Sequence, residues 1–328
     1  MFGRKKTPSV DSYSSGASSE KEWRLIERVV MANTAELKRG RRWGIFFKLL
    51  TFIYLFVLLG VYFQNSVDLS DHAHSTDHTA VVDIDGVISA SDQANADAII
   101  ANVRRALSHQ GTKALVLRIN SPGGSPVQSA YVYDEIRRLR AIYTEIPIYA
   151  VIVDTGASGA YFIASAADEI YANGASVVGS IGVTAAGFGF QGLIEKLGIE
   201  RREFTSGEHK AFLDPFSDVD PEEQALFEAL LTDVHEQFID AVKQGRGDRL
   251  VETEDVFSGL FWTGSQALEL GLIDGLKSTG QLAREIGHPS LVDFTSRPSP
   301  FEQFTNRFGA SVAQNLVKLL QNDQFNLQ

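Results

Sequence analysis

IPIYAVIVDTGASGAYFIASAADEIYAN, residues 146–173, decides the architecture. It begins with a nearly unbroken apolar run to Asp154, the pattern of a strand buried on both faces in a parallel sheet. The run breaks at GASGA (156–160) into a helical stretch, and EIYAN (169–173) returns to strand character. Strand, crossover helix and strand in so short a space make a βαβ unit.

The same alternation extends upstream. ALVLRIN (114–120) reads as a strand, SPGGS as a turn, and 126–141 as a helix. AVVDIDGVI (80–88) is a further strand, followed over 94–108 by Ala98, Ile99, Val103 and Leu107 at helical spacing. An α/β body with a parallel sheet and right-handed crossovers follows, with ligands expected at the carboxyl ends of the strands. Downstream, DPEEQALFEALLTDVHEQFIDAV (220–242) opens with Asp220 as N-cap and Pro221 at the first helical position. Phe227, Leu231, Val234, Phe238 and Val242 form its apolar stripe. WTGSQALELGLID (262–274) is one more unit, ending at a Gly/Asp turn. The tail (298–328) puts Phe301, Phe304, Phe308, Val312, Leu316 and Leu319 on one face, to be covered by this protomer, a partner or a membrane surface.

Of the 328 residues 44% are hydrophobic and none is cysteine. That composition suits a packed core and excludes disulfides, thiolate metal sites and a cysteine nucleophile. The net charge of −11 argues against a nucleic-acid partner. The charge is divided unevenly: residues 1–48 hold eleven Lys/Arg against five Asp/Glu, while the rest is strongly acidic. Between arm and body lies WGIFFKLLTFIYLFVLLGVYF (43–63), 21 residues with a single charge at Lys48. As a helix it is about 30 Å long, the thickness of a hydrocarbon core. Lys38, Arg39, Arg41 and Arg42 crowd its N-terminal end, and residues 64–78 contain no Lys or Arg. The positive-inside rule therefore leaves the arm cytoplasmic and puts residues 64–328 across the inner membrane.

The chain thus divides into a basic arm (1–42) with an amphipathic helix at 20–37, a transmembrane helix (43–63), a linker (64–79), a body (80–288) and a C-terminal amphipathic tail (289–328). The histidines of HAHSTDH (72–78) read as linker rather than as a metal tract.

Without cysteine, the nucleophile is sought among Ser, Thr, Lys and the carboxylates. Ser158 sits where a strand breaks into a helix, among small residues that leave its hydroxyl approachable. An ordinary helix cap is the alternative for a serine at such a junction. INSPGGS (119–125) ends the neighbouring strand, and its glycines free backbone N–H groups to face a ligand oxygen; a plain Pro-Gly turn is the alternative there. For a base, His209 and Lys210 share the segment TSGEHKAFLDPF (205–216). An unprotonated lysine amine can accept a serine proton as imidazole does.

INSPGGS, DTGASGAYFIASAADEIYAN, GSIGV (179–183), GEHKAFLDPF (207–216) and WTGSQALELGLID together resemble the short form of signal peptide peptidase A, SppA, in order over about 81–276. The resemblance implies a crotonase/Clp-protease-like fold and a serine endopeptidase with a Ser–Lys dyad. Position by position it implies Ser158 as nucleophile and Lys210 as general base. The N–H groups of Gly159 and of Gly124 or Gly123 would form the oxyanion hole, and Ser180 would orient the lysine. It further implies a ring or dome of identical protomers whose sites take serine and lysine from neighbouring chains. Remnant signal peptides and similar apolar peptides would be the substrates, and no metal or cofactor is required. Where the family commonly has SGG at the nucleophile, this chain has Ser158-Gly159-Ala160, one methyl more in the pocket. Two other readings stay open: a non-catalytic scaffold that binds peptides or a membrane partner, and a crotonase-like acyl-CoA enzyme.

Overall fold

The computed structural model describes residues 23, 24, 27, 31, 41–60 and 76–297. The chain forms two units, one up to His72 and one from Ala73 onward. In the first, α1 (Arg41–Gly60) is a 20-residue helix long and apolar enough to cross a membrane. Trp23, Arg24, Glu27 and Met31 are helical as well. Residues 61–63 of the expected span, most of the linker and the amphipathic face of the tail lie outside the described residues.

The second unit runs β1 (His78–Asp85), α2 (Ala96–Ser108), β2 (Thr112–Ser121), α3 (Pro126–Ile142), β3 (Ile148–Ala157), α4 (Gly159–Ala164) and β4 (Glu169–Ala172). It continues with β5 (Val177–Gly179), α5 (Gln191–Lys196), α6 (Pro221–Arg246), β6 (Phe261–Thr263), α7 (Gly264–Glu269), β7 (Gly275–Leu276), α8 (Thr279–Glu285) and β8 (Leu291–Asp293). The strands form one sheet in the order β6-β5-β3-β2-β1-β8, with β4 beside β3 and β7 beside β4. All pairings are parallel except β5 with β6.

Period-two alternation sets the core. Ala80, Val82 and Ile84 of β1, Leu115, Leu117 and Ile119 of β2, and Ile148, Ala150 and Ile152 of β3 face one side. Ile99, Val103 and Leu107 of α2 and Val132, Ile136 and Leu139 of α3 cover them. Each buried Val, Leu or Ile side chain here stabilises the fold by about 1.5–3 kcal/mol of removed apolar surface. On the other face Val116, Val151 and Tyr171 meet Leu282 of α8 in a smaller cluster.

β3 changes partner along its length, and this positions the site. Tyr149–Ile152 pairs with β4, whereas Thr155–Ala157 pairs with β5. The strand therefore runs past Asp154, where the apolar pattern ends, up to the residue before Ser158. A Cβ at Gly156 would stand 2.7 Å from Ile152 Cγ1, so a side chain there would push against the strand itself.

Two expectations about the margins need correction. His78 belongs to the sheet rather than to a linker: it is fully buried at the start of β1, its ring stacked on Phe294. Residues 291–293 belong to the sheet rather than to a tail, because β8 pairs with Thr79–Val81. Short edge strands of three residues carry too little pattern to be recognised in sequence.

α6 is tied to the sheet by a buried ion pair. Arg246, with 1% of its side chain exposed, donates to both oxygens of Asp274 at 2.7 and 2.9 Å and to Gly271 O. Burial alone would raise the Asp274 carboxyl. The Arg246 hydrogen bonds, the Ile170 N–H and the charges of Arg246 and Arg249 outweigh burial and hold it below its ordinary value. A carboxyl depressed in the folded state contributes stability above its unfolded pKa, and that contribution is lost as pH falls through the acid range. Asp274→Ala leaves a buried guanidinium unpaired, so denaturant titration should find a loss of about 3–5 kcal/mol. A loss below 1 kcal/mol would refute the role.

Candidate active site

Ser158 occupies a turn that serine rarely adopts. Its φ is +53° and its ψ −129°, in the left-handed half of the map where non-glycine residues are strained by about 1–3 kcal/mol. Its N–H donates to Gly179 O at 2.8 Å, and its carbonyl accepts from Phe162 N of α4 at 3.0 Å. The backbone is therefore pinned from both sides. The side chain makes no capping bond to its helix. The serine and threonine caps of α3, α7 and α8 (Ser125, Thr263 and Ser278) have ordinary negative φ and do accept from a backbone N–H. Ser158 is thus not an N-cap of the usual kind.

The INSPGGS turn packs directly against this serine. A Cβ at Gly123, whose φ is +96°, would lie 2.7 Å from Ala157 O, Gly159 N and Ser158 Cβ, so only glycine lets the two turns approach. At Gly124 a Cβ would meet Ile88 O at 2.0 Å. The two glycines then part in role. Gly123 N–H is already bound to Ser121 Oγ at 3.1 Å. Gly124 N–H and Gly159 N–H have no acceptor among the described residues. The groups are close, since Gly124 N is 3.4 Å from where a Gly159 Cβ would stand. Two free donors beside a hydroxyl can receive an oxygen that gains negative charge.

Ser158, Gly159 and Gly124 open onto a cavity of about 220 Å³, walled by Val127, Phe162, Val183, Val234 and Phe238, with Asp134 and Gln237 among its polar lining. An apolar pocket of this size accepts a leucine- or phenylalanine-sized side chain. Ser129 also lines it. Fully buried, its Oγ donates to Ser125 O and would lie 2.3 Å from a Gly159 Cβ.

Lys210, His209 and Ser180 do not line this cavity within one chain. Lys210 is exposed, in a turn whose N–H donates to Gly207 O. His209 Nδ1 lies 3.7 Å from Glu223 Oε1. The stretch 184–210 is exposed except at the half-buried Gln191 and Ile194, with Phe188 and Phe204 at 82% and 93% exposure. A Phe190–Phe216 ring contact and an Arg201–Asp214 ion pair at 2.7 Å bind this excursion to itself, and a Phe212–Phe227 ring contact binds it to α6. Ser180 also has a positive φ, +52°, and its N–H donates to Leu260 O.

The sequence had marked Val234 and Phe238 only as a stripe, and it gave no sign of Ser129, Ile88 or His235. Ile88 brackets the glycine turn by donating to Gly123 O and accepting from Ser125 N. No local motif carries that information, because the partners lie some 35 residues apart in sequence.

Comparison with known proteins bears on the whole arrangement. Residues 140–290 match the family model described as Peptidase family S49. Over 183 residues the chain is 30% identical to a putative signal peptide peptidase SppA of Enterococcus faecium, covering 56% of this chain and 53% of that one. A putative protease of Synechocystis sp. is 37% identical over 163 residues, 50% of this chain and 58% of that protein. A protein of Brucella abortus named Na(+)/H(+) antiporter NhaA is 47% identical over 174 residues, 53% of this chain but 24% of its own length. The chain thus spans between about a quarter and three fifths of the length of these relatives. Residues 140–290 are thus similar to peptidase family S49, and the Enterococcus faecium relative carries the SppA name.

Proposed function

We propose that the chain is a membrane-anchored serine endopeptidase in which Ser158 is the nucleophile and Lys210, supplied by a neighbouring protomer, the general base. The observation that carries this reading is the pinned, positive-φ Ser158 with two free N–H groups beside it and an apolar pocket in front. Similarity of residues 140–290 to peptidase family S49 supports the reaction class.

In the reaction, the unprotonated Lys210 amine takes the proton of Ser158 Oγ as the oxygen attacks the scissile carbonyl carbon. The carbonyl oxygen becomes an oxyanion held by the N–H groups of Gly124 and Gly159. The tetrahedral species collapses, the C–N bond breaks, and the Lys210 ammonium gives its proton to the leaving amine. A water, deprotonated by the same amine, then attacks the acyl ester, and Ser158 leaves with its proton restored. Gly123 acts as the space that lets the donors approach, and Ser180 as an orienting group for the lysine.

The exposed position of Lys210, on an excursion with bare aromatic side chains, supports a homo-oligomeric ring or dome with shared sites. The apolar cavity supports apolar peptides as substrates. Remnant signal peptides are the natural class, in keeping with the name of the Enterococcus faecium relative. The apolar helix α1, with Arg41 and Arg42 at its start, supports an inner-membrane anchor with the body outside the cytoplasm.

Covalent labelling tests the reading. A fluorophosphonate probe added to the full chain in detergent should mark one peptide, the one containing Ser158. A label that maps to another serine, or none in a protein that cleaves peptides, would remove the nucleophile assignment.

A further inference from the structure

The excursion that carries Lys210 has a narrow neck, closed by a residue in no motif. After β5 the chain is held once more where Ser180 N–H donates to Leu260 O at 2.8 Å. Beyond Ser180 the next tether is His235, whose Nε2 lies 3.1 Å from Ile181 O. A carbonyl oxygen can only accept, so the ring carries its proton on Nε2. Ile181 is fully buried. Immediately after it, Gly182 and Val183 form one wall of the Ser158 cavity, and Val234, adjacent to His235 on α6, forms another. From Gly182 to Gly189 no backbone N–H has an acceptor among the described residues. His235 therefore clips the outgoing chain to the returning helix at the point where the cavity wall begins.

We propose that His235 is a positioning residue: by holding Ile181 it fixes the Gly182–Val183 wall and so sets how tightly the cavity grips a substrate side chain. The inference rests on the peptidase reading for the nature of that substrate. It does not depend on the lysine base. One hydrogen bond of this kind contributes little to the fold but fixes a wall whose own N–H groups, from Gly182 to Gly189, have no acceptor among the described residues.

The test uses the full chain carrying Ser158→Ala, so that binding is read without cleavage. A fluorescein-labelled hexapeptide of alanine and leucine is titrated and its anisotropy followed. Adding His235→Leu should weaken binding about five- to tenfold, and His235→Gln, whose side-chain amide can reach the same carbonyl, should restore it. In the cleaving protein the same His235→Leu change should raise KM by that factor with kcat within about twofold of the parent. Melting temperatures accompany each variant, and His235→Phe replaces His235→Leu if the latter fails to fold. Unchanged affinity in a folded variant, equal loss in the Leu and Gln variants, or a fall in kcat at constant KM would overturn the proposal. Peptide bound with the expected His235 dependence but never cleaved by the parent would overturn the peptidase reading alone.

Discussion

Ser158→Ala should lower kcat/KM for hydrolysis of an apolar peptide by roughly 10⁴-fold or more, because the residual rate comes only from binding and the two N–H donors. Ser158→Gly should be equally inactive and yet more stable. At φ +53° and ψ −129° the serine backbone is held in a region suited to glycine. Relief of that strain outweighs the added freedom of the unfolded chain and leaves a net gain of about 1 kcal/mol over the alanine variant. Paired measurements decide it: peptide hydrolysis for the first claim and urea midpoints for the second. An alanine variant that keeps a tenth of the activity sinks the nucleophile assignment. A glycine variant no more stable than the alanine one means the turn stores no strain.

Lys210→Ala should cost roughly 10³-fold in kcat, with Lys210→Arg no better, because a guanidinium stays protonated and cannot accept the serine proton. The larger effect appears on mixing. If each site joins Ser158 of one chain to Lys210 of the next, an assembly of equal parts Ser158→Ala and Lys210→Ala protomers regains about a quarter of the parental activity, since one junction in four has both groups intact. That is a rise of about 250-fold over Lys210→Ala alone and about 2,500-fold over Ser158→Ala alone. Subunit exchange is verified with differently tagged chains before the assay. A verified mixture with no regain places serine and lysine within one chain.

Much of the arrangement is legible in residue order. The βαβ repeats follow from apolar runs and helical spacing, and the caps at Asp220 and Pro221 stand as composition suggests. The GASGA junction is visible for the same reason, since small residues must surround a strand end that faces a ligand. What escapes is nonlocal. Whether Gly123 or Gly124 offers its N–H depends on Ser121 Oγ, which claims the first. β5 and β6 draw their partners from residues more than 80 positions apart and are too short to show a period. His78 looks like linker in sequence because its neighbours are polar; burial against Phe294, more than 200 residues away, decides its place. His235 lies on a helix whose apolar stripe says nothing of a carbonyl in another segment.

β1 is flanked by β2 on one side and by β8 on the other, and β5 completes its edge with β6. Both ends of the body must therefore be present before the sheet closes, so a nascent polypeptide emerging from the ribosome cannot finish the fold in pieces. Ser158 leans on Gly179 and Ser180 on Leu260, so the Ser158 turn acquires its last support only after more than 100 further residues have been made. Under the proposed function, proteolytic competence arrives late in biogenesis, and the machinery that synthesises the chain is spared a premature blade.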